Sequence, residues 1–184
     1  MVILIYPICN DLSLDNIKQH YAKEAASSMI AYLSGGMENA VNEGADWRID
    51  ISNWLKENLG HNVIDPVVES QKQVLKHNSH NYRNWKSTDP ERFKEFIRVL
   101  IDHDLRSVID KADYLIVFWD KSILKGGGTH GEVTMAYWVN KPVYLVNSIP
   151  RKDLSAWISS CSTDVYDSFD ELKNALLSKY KPEE

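Results

Sequence analysis

The chain is 184 residues long, 43% hydrophobic and 26% charged, with a formal net charge of −5. Those values suit one folded domain able to bury about 70% of its unfolded surface without covalent staples. They exclude a basic nucleic-acid binder, a disordered chain and, with cysteines only at Cys9 and Cys161, a disulfide framework or a Cys-based zinc site.

The first residues, Val2–Tyr6, read as a strand ended by Pro7, because the apolar run is too short to span a bilayer. No positive n-region or small-residue cleavage site accompanies it, so the expected compartment is the cytoplasm. Met29–Ser34 is a second apolar run, closed by Gly35-Gly36. Ile49, Trp54, Leu55 and Leu59 recur at helical spacing, with Asp46 as the expected N-cap and Gly60 as the stop. His61–Asp65 reads as a short strand, and Val67–Pro90 as a polar, irregular stretch. Phe93, Phe96, Ile97, Leu100, Ile101, Leu105 and Val108 then recur at three and four, as an amphipathic helix does.

Asp113–Trp119 is nearly continuous in β-branched and aromatic residues, the pattern of a strand covered on both faces. A glycine-rich loop follows at Lys125–Gly128, with Thr129 as the expected cap of the next helix. Pro142–Asn147 reads as another buried strand, Asp153–Ser160 as a helical turn and Thr163–Tyr166 as a last strand. Ser168-Phe169-Asp170-Glu171 opens a final helix as a capping box. The alternation predicts an α/β fold with a parallel sheet and right-handed crossovers. Ligands of such sheets sit beyond the carboxyl ends of the strands. That rule selects Ser34–Asn39, Asp120–Thr129 and Asn147–Lys152.

The most distinctive segment is Gly126-Gly127-Gly128-Thr129-His130-Gly131-Glu132. Glycines permit close approach of backbone to a ligand, and a helix starting there directs N–H groups to the same place. Glu132 in the first turn either faces that crevice or merely complements the dipole. No Lys-Ser/Thr pair follows the glycines, so this is not a Walker loop. Asp104 lies on the helix before the central strand, and Asp120 lies at that strand's carboxyl end. Trp47 and Arg48 offer a stacking plane and a hydrogen-bond fork. His77 and His80 lack further ligands, so no metal site is expected.

These residues, in this order, resemble the nucleoside 2-deoxyribosyltransferase family and its relatives that hydrolyse N-glycosidic bonds. The resemblance rests on Tyr32 with Ser34-Gly35-Gly36-Met37, Asp104-Leu105, Gly128-Thr129-x-x-Glu132 and Lys141-Pro142-Val143. It runs from about Met29 to the C-terminus, and divides the chain into an extension at 1–28, with an extra strand and helix, and a domain at 29–184. It implies a doubly wound, mainly parallel five-stranded sheet of Rossmann-like or flavodoxin-like form. It further implies Glu132 as nucleophile, Asp104 as positioner of the sugar or proton donor to the base, and Tyr32 as the group orienting the nucleophile. Ser34, Gly35, Gly36, Met37, Trp47, Arg48, Asp120, Gly128, Thr129 and His130 are then the candidates for binding substrate, with Trp47, Tyr82 and Trp85 flanking the base. No cofactor is expected. The expected partners are a nucleoside or nucleobase and, by the family's example, further copies of the chain. The alternatives are a deoxynucleoside monophosphate N-glycosidase, which Glu38 in the first loop disfavours, and a non-catalytic sensor of nucleotide-derived ligands.

Overall fold

A computed structural model describes residues 28–181. The strand expected at Val2–Tyr6 and nearly all of the expected extension lie outside them. The strands are β1 (Ile30–Gly35), β2 (Asn62–Ile64), β3 (Tyr114–Trp119), β4 (Val143–Asn147) and β5 (Asp164–Tyr166). The helices are α1 (Ala45–Leu59), α2 (Pro66–Lys76), α3 (Tyr82–Thr88), α4 (Pro90–Arg106), α5 (Gly128–Trp138), α6 (Ala156–Cys161) and α7 (Phe169–Tyr180). Every strand pair is parallel, in the order β2-β1-β3-β4-β5. The protein is therefore an α/β doubly wound fold, and its strand order reverses between β1 and β3.

The alternation of side chains along each strand sorts them onto two cores. Ala31, Leu33, Tyr114 and Ile116 pack with Ile51 and Leu55 of α1 and Leu172 and Leu176 of α7. Tyr32, Leu115, Val117 and Trp119 pack on the other face with Val133 and Ala136 of α5 and Ile158 of α6. Residues Tyr114 to Val117 are wholly inaccessible, as the unbroken apolar run requires. At about 1.5–3 kcal/mol for each large apolar side chain buried, β3 is the energetic centre of the sheet. Asp113 adds a local tie, since its carboxylate accepts from the backbone N–H of Ile30 at 2.7 Å. Among the described residues, no helix is long and apolar enough to cross a membrane.

Three local expectations are corrected. The stretch 67–90 is not irregular but holds α2 and α3. Its polar composition hid an Asp65 cap, which accepts from Val67 N–H at 2.9 Å, and a Pro66 at the first helical position. Thr129 does not cap α5. Gly127 occupies the cap position and Thr129 is a buried helical residue. Asp46 likewise lies inside the first turn of α1, whose cap is Gly44 with φ of 70°. That left-handed backbone favours glycine.

Candidate active site

The topological switch point opens as a cleft of about 250 Å³ at the carboxyl ends of β1 and β3. Its volume lies just below the usual 300–1,000 Å³ or so of small-ligand pockets. The floor is Glu132, the rim is Gly35 to Asn39 and Gly126 to Thr129, and one wall is α4.

Glu132 reaches the cleft because α5 begins directly beneath the glycine loop. It is 8% exposed. The period of two along β1 aims Tyr32 and Ser34 at it from the same face. Tyr32 donates its hydroxyl to Oε1 at 3.0 Å, and Ser34 donates Oγ–H to Oε2. The Glu132 pKa is raised, because burial outweighs the Ser34 and Tyr32 donors and the positive charge of Arg48, which act in the opposite sense. Tyr32 is itself held well above the usual phenol range, by burial first and then by the charge of Glu132. It therefore remains a neutral donor. Two hydrogen bonds occupy only part of a carboxylate's lone-pair capacity, so Glu132 retains electron pairs for a third partner.

Asp104 stands on the last turn of α4 and lines the same cleft. Its pKa rises from 3.8 to about 8, chiefly through burial and then through the charges of Glu132 and Glu69, with the Tyr32 hydroxyl acting in the opposite sense. Two carboxyl groups therefore share one cleft in different electrostatic surroundings. Glu132 is supplied with donors that favour its anion, whereas Asp104 keeps its proton. In two-carboxylate sites, contrasting surroundings of this kind are what set an acid apart from a base or nucleophile.

Of the residues singled out in the sequence, Glu132, Asp104, Gly35, Gly36, Met37, Gly128 and Thr129 line the cleft, and Tyr82 does so from α3. Tyr32 and Ser34 stand behind Glu132. Five others are placed elsewhere. Trp47 packs against Phe118 and Phe169 at ring separations of 5.7 Å and borders a separate hollow with Asp120. Arg48 is fully buried and spends its fork on backbone carbonyls. Asp120 caps the short turn Lys121–Lys125 by accepting from Ser122 N–H. His130 sets its ring edge-on to Trp119 at 4.9 Å. Trp85 lies on Phe96 and under Arg92, away from the cleft lining. The loop 147–152 also stands apart from it.

Sequence reading missed the apolar wall. Phe93, Ile97, Leu100 and Ile101 face the cleft rather than the core, and of the stripe within α4 only Phe96 is fully buried. Periodicity identifies an apolar face but not what covers it. Arg83 and Lys86 were also missed. They line the cleft from α3 and pair with Glu43 and Glu38. Among the described residues, no group of three or more His, Cys, Asp or Glu is placed to hold a metal ion.

Fold and site together define an open, all-parallel α/β protein with a two-carboxylate cleft at its switch point. No family model matches the chain, and no curated protein matches it. Among solved structures, it is similar to the Clostridium botulinum CMP N-glycosidase BcmB. Identity is 17% and the TM-score 0.45, over 82% of this chain and 98% of that one.

Proposed function

We propose that the protein cleaves or exchanges the N-glycosidic bond of a nucleoside or deoxynucleoside, with Glu132 as nucleophile and Asp104 as acid. The observation that carries this reading is the paired environment of the two carboxyls: Glu132 between the Tyr32 and Ser34 donors, and Asp104 protonated up to about pH 8 in the same cleft. The sequence resemblance to nucleoside 2-deoxyribosyltransferases supports it independently, because it selects the same two residues.

The bond from the anomeric carbon to the base nitrogen breaks through an oxocarbenium-like state. A Glu132 oxygen closes on that carbon as the bond fails and forms a sugar ester. Asp104 gives its proton to the departing base, which leaves neutral. Asp104 is then a carboxylate and accepts the proton of the incoming water or second base. Attack by that group on the anomeric carbon releases Glu132. The wall of Phe93, Ile97, Leu100 and Ile101 runs along α4 from the Asp104 end. It offers the planar base an apolar surface beside its proton donor.

The test is Glu132→Gln incubated with each common nucleoside and deoxynucleoside, with base release followed by chromatography. Release by the native chain should fall by roughly 10⁴-fold or more in the variant. Mass spectrometry of the native chain quenched during turnover should show a sugar adduct on the peptide that carries Glu132. Equal rates in the two proteins would overturn the proposal.

A further inference from the structure

Arg48 is a large cation with 0% of its surface exposed, and among the described residues no carboxylate oxygen lies within hydrogen-bond reach of its guanidinium. Asp65 comes nearest, at 3.6 Å from Nε, but its Oδ1 is already engaged as the cap of α2. Burying a charge this way is expensive unless something else depends on it.

The sheet supplies the reason. Asn62 N–H donates to the Met29 carbonyl at 2.8 Å, so on β1 the carbonyls of every second residue from Met29 point toward β2. β2 stops early. Its last pairing is Tyr32 with Ile64, and Asp65 and Pro66 then open α2. On the other side β1 continues against β3 as far as Gly35. The carbonyls of Leu33 and Gly35 are therefore left without a strand partner, and orphaned buried carbonyls are costly.

Arg48 takes both. Its Nε donates to Leu33 O at 3.2 Å and its Nη2 to Gly35 O at 3.0 Å. Its Nη1 donates to Gly36 O, Glu43 O and Gly44 O at 3.5, 3.1 and 3.0 Å. One guanidinium thus spans the end of β1 and the turn that leads into α1. Ser34 sits between the two carbonyls on β1 and holds Glu132 from the opposite face.

We propose that Arg48 is a positioning residue that replaces the missing length of β2, pins Ser34 for its bond to Glu132, and supplies a buried positive charge that favours the Glu132 carboxylate. This rests on the reading of Glu132 as the reacting group. Among the described residues, the side chains that hydrogen-bond Glu132 are Tyr32 and Ser34 from β1, and Asp104 from α4 feels its charge. The first two donate to it, and Asp104 is neutral below about pH 8. Arg48 is the cation acting on it, and Arg48 in turn feels Asp65, Asp120 and Tyr32 besides Glu132.

The experiment compares Arg48→Met and Arg48→Lys, each in the native and the Glu132→Gln background. In Arg48→Met the acid limb of the kcat/KM profile moves up by about one pH unit or more, because a buried carboxylate has lost its cation. Arg48→Lys keeps the charge but cannot reach both sets of carbonyls. Its acid limb stays within about half a pH unit while kcat falls about tenfold or more through misplacement of Ser34 and Glu132. Thermal melting gives an activity-free readout. Arg48→Met costs less Tm in the Glu132→Gln background than in the native one, because the charge pairing is absent there. Equal Tm losses in both backgrounds, or an unmoved acid limb, would reduce Arg48 to a packing residue. If Arg48→Met does not fold, native kcat in Arg48→Lys refutes the proposal. If the native chain turns over no nucleoside, the functional reading fails, and the melting cycle still decides whether Arg48 and Glu132 are coupled.

Discussion

Replacing Asp104 with Asn separates what burial does to this carboxyl from what its charge does. The folded chain holds the Asp104 proton to about pH 8, whereas an unperturbed aspartate releases it near 3.8. Between those values the folded state carries a proton that the unfolded state has lost. Rising pH therefore favours unfolding across this window, and the contribution levels off above about pH 8. At 1.36 kcal/mol per pH unit, the full interval bounds the effect at roughly 6 kcal/mol. Asp104 lies at an open cleft, and for an effective dielectric near 20 we expect about 2–3 kcal/mol of this in practice. A domain of this size moves by about 2–4 °C per kcal/mol. The Tm of Asp104→Asn, measured against the native chain by calorimetry, should thus gain roughly 5–10 °C between pH 4 and pH 8. Asn cannot ionise, so any fixed packing cost cancels in that difference. The same variant should slow release of an ordinary base by about 10²–10⁴-fold, and much less for a leaving group that departs as a stable anion. Parallel Tm curves across pH 4–8 would show that Asp104 titrates like an exposed aspartate, and the acid assignment would go with it.

Ser34→Ala removes a donor to Glu132 and should raise the acid limb of kcat/KM by about one pH unit, given that a hydrogen bond to a charged group is worth about 1.5–3 kcal/mol. A limb that stays in place would show that Ser34 does not sustain the carboxylate. The glycines divide into two kinds. A Cβ on Gly36 would lie 1.8 Å from Ser122 Oγ and 2.9 Å from Ser122 Cβ, so Gly36→Ala should cost about 1–3 kcal/mol in a denaturant melt. Beyond its chain neighbours, a Cβ on Gly127 would meet nothing within 4 Å among the described residues. Gly127→Ala should leave stability within about 0.5 kcal/mol while raising KM, and an unchanged KM would mean that ligand does not lie against this loop. Ile97→Ala trims the apolar wall and should raise KM by about tenfold with little change in kcat. Steady-state kinetics showing the loss in kcat alone would contradict a base-binding role.

Parts of this protein were legible because they depend on nearest neighbours. The run Asp113–Trp119 announced a strand covered on both faces, and β3 is buried on both. Ser168 three residues before Glu171 announced a cap, and Ser168 Oγ accepts from Glu171 N–H at 3.2 Å. The stretch 67–90 was illegible for the opposite reason. Most residues of α3 are exposed, so that helix shows no apolar stripe for a periodicity reading to find.

The candidate site shows the same division. Spacing along the chain put Glu132 beneath a glycine loop, and the resemblance paired it with Asp104 and Tyr32. What each side chain touches depended on elements about a hundred residues apart. Tyr32 and Ser34 reach Glu132 across separations of 100 and 98 residues, and no local pattern encodes that meeting. Arg48 is the sharpest case. Beside Trp47 it read as a fork for a ligand, yet its partners are the carbonyls that a shortened β2 left unpaired. The sequence by itself determined β3 and the capped start of α7, because side-chain period and a capping box are local properties. Only the tertiary structure decided that Arg48 turns inward, that the α4 stripe lines a cleft and that two carboxyls share it with different neighbours, because each depends on what other segments bury.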